Sequence, residues 1–168
     1  ANRKESALSR VIATYDWEYS SNRKPEDRIR KYWEVTIGKW HKPWNRELES
    51  TLTRKAKRNI KELAWAEQPQ TLNEVGSTFT IQGFDLNYAG VILGPSVKYR
   101  DGKIVFDPSA SHNEKAIRNR TLSDGTKQKF GEMFIQHEVR VLMTRGVNGM
   151  YIYACDPELQ AALLEAAK

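Results

Sequence analysis

Strand-like and helix-like segments alternate along this chain. That alternation predicts an α/β domain: a mostly parallel sheet flanked by helices in three layers, with one β-hairpin inserted. Three observations carry the expectation. Compact apolar or β-branched runs stand at 10–15, 89–93 and 150–154, each closed by turn-forming residues. Helix-periodic stretches at 46–65 and 127–144 fall among them. Asp101-Gly102, set between VKYR and KIVF, is the clearest hairpin signal in the chain. A length of 168 residues suits a single domain with a real core, and shares of 39% apolar and 29% charged residues are those of a globular protein.

Taken in order, Arg10–Tyr15 reads as a buried strand, ended by the turn formers of 16–22 and by Pro25. Tyr32–Ile37 alternates aromatic or aliphatic residues with polar ones before Gly38, the pattern of a second strand exposed on one face. His41–Asn45 reads as a loop whose Asn45 caps a following helix. Over 46–65 the apolar positions Leu48, Leu52, Ala56, Ile60 and Leu63 recur at helical spacing, opposite Arg54, Lys55, Lys57, Arg58 and Lys61. Thr71, with Glu74 three residues on, is a capping-box signature for a short helix that Gly76 ends. Ser77–Thr80 then leads into Gln82-Gly83-Phe84-Asp85. Ala89–Leu93, ahead of Gly94-Pro95, reads as a central strand. Residues 107–126 are polar and basic, and read as a mobile surface loop. The helix at 127–144 places Phe130, Phe134, His137/Glu138 and Val141 on one face, with Met133 and Leu142 at its flanks. Gly146–Gly149 reads as a turn before the last strand. Asp156-Pro157-Glu158 is a helix start, and Leu159, Ala162, Leu163 and Ala166 form the apolar face that follows. No internal repeat, heptad array or interdomain linker is visible.

Charge and cysteine usage narrow the classes of partner. The net charge is +6, yet residues 20–62 alone hold thirteen Lys/Arg against six Asp/Glu. Such a block suits a polyanion, because each neutralised phosphate releases a condensed counterion; the same block can also simply solvate one side of a domain. No apolar run approaches the ~20 residues of a membrane span, and ANRKESALSR lacks the apolar stretch of a secretory signal. No membrane partner is expected. The single cysteine, Cys155, excludes an internal disulfide and fits a reducing, cytoplasmic compartment. Closing an apolar strand, it reads as a packed thiol rather than a nucleophile. His41, His112 and His137 lack metal-ligand spacing, so no metal site is expected. Trp17, Trp33, Trp40, Trp44 and Trp65 all fall in the basic N-terminal part. Most read as core; Trp40 and Trp44, around His41-Lys42-Pro43, are candidates to stack on bases.

Two stretches carry candidate chemistry, EVGSTFTIQGFD at 74–85 and VRVLMTRG at 139–146. A strand that ends in Gln82-Gly83-Phe84-Asp85 would place a polar corner at a strand's C-terminal end, where open α/β sheets bind ligands. Gly83 admits close approach, Gln82 offers an amide that can bond twice, and Asp85 accepts from a hydroxyl. The same residues also make an ordinary self-capping turn. Arg145, at the end of a helix, either neutralises the helix dipole or is held toward a phosphate.

On EVGSTFTIQGFDLNYAGVILGP followed by VRVLMTRGVNGMYIYACDPEL, the chain resembles the C-terminal part of bacterial Schlafen-type (group 3-like) DNA/RNA helicase proteins, a group expected to bind ATP or GTP and related to superfamily 1 helicases. The resemblance is specific through 74–107 and 137–159; ATYDWEYSS and EVTIGKWHKPWN are similar as well but hold no general helicase motif. It implies a RecA-like second lobe of the P-loop NTPase type, with Ser77–Leu86 as motif V and Val139–Gly146 as motif VI. By position, Arg145 is then the catalytic arginine that reaches the γ-phosphate of ATP on the other lobe. Gln82, Gly83, Asp85 and Thr144 join it in the nucleotide-binding set. Thr78 and Thr80 of motif V, with Trp40, Trp44, Arg54, Lys55 and Arg58 of the basic aromatic part, form the nucleic-acid-binding set. Phe79 stands where motif V often has an imidazole, and Asp85 where glutamate is commoner. The chain contains no G-x-x-x-x-G-K-[ST] loop and no strand ending in paired acids for Mg²⁺. The implied partners are therefore an N-terminal ATPase lobe of the same protein, which binds ATP with Mg²⁺, and DNA or RNA. Alone, the chain is expected not to hydrolyse ATP. A binding module with a basic aromatic surface, or a regulatory scaffold within a larger NTPase, also fits the residues.

Overall fold

The computed structural model describes residues 8–25 and 30–168. Positions 26–29 of the basic stretch, and the first seven residues, lie outside that description. Along the chain come β1 (Ser9–Ala13), β2 (Glu34–Ile37), β3 (Trp40–Pro43), α1 (Arg54–Ile60), β4 (Val75–Gly76) and the one-turn helix α2 (Thr78–Ile81). Then follow β5 (Leu86–Leu93), the hairpin β6 (Val97–Arg100) and β7 (Lys103–Phe106), α3 (Glu114–Ile117), and the small ribbon β8 (Arg120–Thr121) and β9 (Lys127–Gln128). Helix α4 (Gly131–Met143), β10 (Gly146–Ala154) and α5 (Pro157–Ala166) complete it. Four strands form one all-parallel sheet in the order β10-β5-β1-β4. The fold is α/β with an inserted hairpin, as the order of segments predicts.

Side chains alternate across a strand, so the register sorts the sheet into two faces. Ile12, Ala89, Val91, Leu93, Ile152 and Ala154 share one; Val11, Ala13, Gly90, Ile92, Tyr151 and Tyr153 share the other. On the first face sits the larger core, where Ile81 of α2, Ile135 and Leu142 of α4, and Leu159 of α5 pack with Trp65 and Val97. Each such side chain, fully buried, contributes about 1.5–3 kcal/mol. The second face holds a smaller core of Ala13, Trp33, Val35, Trp44, Val75 and Ile92 beneath the β2–β3 ribbon, with no helical residue among those described. The third layer is thus a ribbon rather than the expected helices. Beyond its cover, Tyr151 and Tyr153 of β10 remain 63% and 43% exposed.

Several elements differ from their sequence reading, each for a local reason. His41 lies in β3, not in a loop, because Gly38 at φ 56 turns the chain and pairs Ile37 with Trp40. Asn45 caps no helix. It is left-handed at φ 57, and its side chain joins Tyr15 Oη at 3.3 Å to Ser77 Oγ at 2.8 Å, tying the ribbon to the sheet. The long helix expected over 46–65 is divided. A 3₁₀ turn at Glu47–Thr51 ends in extended Leu52, Thr53 then caps α1, and Trp65–Glu67 makes a further 3₁₀ turn. No α1 residue is buried, so nothing holds the pieces together as one helix.

Likewise, Pro69–Asn73 is a 3₁₀ turn, and Gly76 belongs to β4 rather than ending a helix. A Cβ on Gly76 would meet the Trp65 ring at 2.6 Å, so this glycine admits close packing. Residues 107–126 are not one loop but carry α3, β8 and a 3₁₀ turn at Pro108–Ala110. Helix α4 begins at Gly131, and its buried positions are Gly131, Ile135, Glu138 and Leu142, one residue away from the expected face. Gly131 rests on Pro108, where a Cβ would come within 2.7 Å, and that contact sets the rotation of the helix. Gly146–Gly149 opens β10 with a bulge instead of forming a separate turn. Asp156 caps α5 as predicted, accepting from Leu159 N at 3.0 Å, and the Arg100 guanidinium beside it holds its carboxyl down at about 2.

Candidate functional site at the starts of β5 and β10

Both candidate stretches arrive at the same edge of the sheet. After β4 the chain does not continue as a strand. Ser77 Oγ accepts from Phe79 N at 3.3 Å, and Thr80 Oγ1 accepts from Ser77 N at 2.8 Å, which together close the turn of α2. That turn brings Gln82–Asp85 to the N-terminal end of β5. The expectation of a corner at a strand's C-terminal end is therefore corrected: alternating Ser77–Thr80 resembles a strand, but reciprocal hydroxyl caps favour a helical turn. Helix α4 ends at Thr144 beside this corner. Leu86 N donates to Arg145 O at 2.8 Å, so Arg145 enters β10 next to the first residue of β5.

The guanidinium of Arg145 is held from three directions. Nε donates to Val141 O at 3.0 Å, Nη2 donates to Thr144 Oγ1 at 3.2 Å, and Nη1 lies 3.2 Å from Asp85 Oδ1. The Val141 carbonyl belongs to the last turn of α4, where carbonyls lack helical partners, so the side chain also neutralises that helix end. Arg145 is 21% exposed and Asp85 62%, a pairing worth about 0–1 kcal/mol in water. Gly83 sits at φ +75 with no atom within 4 Å of where a Cβ would stand. It is glycine for its left-handed backbone rather than for close packing, and the space before it is open. Gln82 is exposed and its amide finds no partner among the described residues.

At the opposite edge, β1 leads toward β4 and β5 toward β10, in opposite directions along the sheet. Open α/β sheets commonly hold ligands in the crevice this creates. Here it is closed by the chain itself. Thr14 Oγ1 accepts from Gly94 N at 2.8 Å, and Asp16 Oδ2 accepts from Ser96 N at 2.8 Å and from Thr14 Oγ1 at 3.1 Å. A Cβ on Gly94 would stand 2.3 Å from Asp16 Oδ2. Alongside, Glu138 accepts from Tyr15 N at 2.9 Å and from Thr78 Oγ1 at 3.3 Å. Burial, and then the nearby Asp16, push the Glu138 carboxyl up to about 8. Burial also raises Asp16. Glu74 rises to about 7 by burial, which the Arg46 and Glu47 amides offset in part without either completing a hydrogen bond.

These shifts have a signed consequence. The folded chain keeps a proton on Glu138 that an unfolded chain releases near 4.5. Stability from this group is therefore full below about pH 4.5 and is lost as pH rises through about 8, at about 1.4 kcal/mol per pH unit. Asp16 and Glu74 act in the same direction. Glu138→Gln is expected to flatten the fall in melting temperature across that window. A variant whose pH profile runs parallel to the wild type would show that the carboxyl is not proton-bearing.

The nucleic-acid set is dispersed. Thr78 is half-buried with its hydroxyl on Glu138, and Thr80, 8% exposed, turns its hydroxyl inward to Ser77. Trp44 is 0% exposed in the smaller core and offers no ring face to a base, a correction to its assignment. Its position looked loop-like because the pairing that buries it lies elsewhere in the chain, in Val75 and Trp33. Trp40 stays 41% exposed and lines a shallow apolar hollow of about 290 Å³ with Ile37, Ile92 and Tyr153. Arg54, Lys55 and Arg58 lie on α1 with no acidic partner among the described residues. Arg54 and Arg58, with Arg46, Lys57, Lys61 and one acid, Glu49, line a mostly basic groove of about 430 Å³. Burial pushes the Cys155 thiol up to about 11, as suits a packed group. Among the described residues no cluster of three or more His, Cys, Asp or Glu could hold a metal ion.

Comparison with known proteins extends this geometry. The family described as "Schlafen group 3, DNA/RNA helicase domain" matches residues 1–156. The chain is 36% identical over 166 residues to uncharacterized protein YPL245W of Saccharomyces cerevisiae, covering 95% of this chain and 32% of that protein. It thus spans about a third of that relative's length, and the similarity is not confined to bacterial proteins. No solved structure matches.

Proposed function

Because the chain belongs to the Schlafen group 3, DNA/RNA helicase domain family, we propose that it acts as the C-terminal, RecA-like motor lobe of an ATP-dependent, superfamily 1-like helicase or translocase. One observation carries the proposal: Arg145 and the Gln82–Asp85 corner, far apart in the chain, meet at the adjoining starts of β10 and β5. In this reading Arg145 stabilises charge on the γ-phosphate of ATP, held with Mg²⁺ mainly by an N-terminal lobe of the same protein. Gln82, Gly83 and Asp85 couple nucleotide state to the grip on DNA or RNA. ATP turnover by the full-length protein carrying Arg145→Ala tests it.

The cations of α1, which have no acidic partner among the described residues, favour a second reading, a nucleic-acid-binding module with no nucleotide role. A salt titration of single-stranded oligonucleotide binding separates the two. Replacing Arg54, Lys55 and Arg58 together by alanine is expected to weaken binding and to flatten the log–log salt dependence by about 0.7 per lost phosphate contact. Tight binding that tracks these three residues, together with full turnover by Arg145→Ala, would select the module. An unchanged salt slope would remove α1 from the nucleic-acid surface.

A further inference from the structure

We infer that Asp85 is a positioning residue for Arg145, one that sets the guanidinium in advance for an incoming phosphoryl group; this rests on the proposed role of Arg145. A guanidinium has five N–H donors in a fixed plane. Here Nε donates to Val141 O and one Nη2 donor goes to Thr144 Oγ1, while Nη1 lies 3.2 Å from Asp85 Oδ1 as an ion pair without hydrogen-bond geometry. Three donors remain, two on Nη1 and one on Nη2. A bidentate phosphate contact uses two of them. The two hydrogen bonds come from the last turn of α4 and from its cap residue Thr144, and hold Nε and Nη2, so they travel with the helix. Among the described residues only Asp85 reaches across from the other stretch, and its charge draws Nη1, and with it the fork, toward the corner.

Gly83 turns through φ +75, and Phe84 packs against the larger core, leaving Asp85 at the surface just before β5 begins. Asp85 is 62% exposed, so it does not anchor the fold. A conserved shape of the domain is therefore expected when it is changed, and any effect on turnover reads position rather than folding. The geometry gives Asp85 Arg145 as its partner.

The test uses the full-length protein. Asp85→Asn is expected to lower kcat for ATP by up to roughly fivefold, the most that an exposed pairing of this kind can bias the guanidinium's position, with KM for ATP nearly unchanged. Asp85→Glu should recover much of the loss, and Asp85→Asn added to Arg145→Ala should lose nothing further. In the 168-residue chain, the Arg145 Nη protons should give separate NMR lines that merge in Asp85→Asn, as rotation about Nε–Cζ is released. A raised KM at unchanged kcat would overturn the inference and place Asp85 on the nucleotide. A raised kcat, or no change in either constant, would overturn it as well. If those outcomes occur while Arg145→Ala is inactive, only this inference falls; if Arg145→Ala turns over ATP normally, the motor-lobe reading fails and takes this one with it.

Discussion

Replacing Arg145 by alanine in the full-length protein is expected to lower ATP turnover by roughly 10³-fold or more. That corresponds to about 4 kcal/mol of transition-state stabilisation, the scale at which an arginine supplied across a cleft acts on phosphoryl transfer. Lysine at the same position should restore little of it, because a point charge on a flexible stem lacks the planar fork. The variant also loses the Nε bond to Val141 O, so a stability cost of about 1 kcal/mol is expected alongside. A thermal melt of the same preparation separates that small effect from the large catalytic one. Wild-type turnover by Arg145→Ala would defeat the motor-lobe assignment, however well the domain folds.

The largest effect on stability is expected at Trp44. Its ring is 0% exposed, 5.0 Å from Tyr15 and 6.4 Å from Trp17, and its backbone bridges to Val75 and bonds Trp33 O at 3.0 Å. Trp44→Ala should cost about 3–5 kcal/mol, a large share of the ~5–15 kcal/mol that holds a typical domain folded. The indole nitrogen of Trp44 is buried with no partner among the described residues, so Trp44→Phe keeps an aromatic body while removing an unsatisfied donor. It should be clearly milder than alanine in a denaturant titration. Trp40→Ala, at an exposed position of the ribbon, should shift stability by well under half as much and act on oligonucleotide binding instead. A Trp44→Ala variant that melted like wild type would contradict the buried ribbon core.

What could be read from the chain was the chemistry of short stretches. Asp101-Gly102 specified its hairpin, Asp156-Pro157-Glu158 its helix start, and the runs at 10–15, 89–93 and 150–154 the strands of a parallel sheet, because caps, turns and β-branched runs act within a few residues of themselves. Where signals were weak or shared, the reading missed. Ser77–Thr80 alternates like a strand, and only its hydroxyl caps make it a helix. Leu48 to Leu63 has helical spacing, but no packing partner makes one continuous helix of it. The candidate site divides the same way: Gln82, Gly83, Asp85 and Arg145 were visible as residues, whereas the closed crevice at Asp16 and the buried carboxyl of Glu138 were not.

The amino-acid order by itself determined the α/β class, the inserted hairpin and the two candidate stretches, since each depends on near neighbours. Only the tertiary structure decided which edge of the sheet receives the corner, which face of α4 is buried, and that Trp44 is core while Trp40 is surface. Those outcomes depend on strand register and on contacts such as Asp85–Arg145 and Gly131–Pro108. Such contacts join residues that no local period connects, and they follow from how whole elements pack against one another.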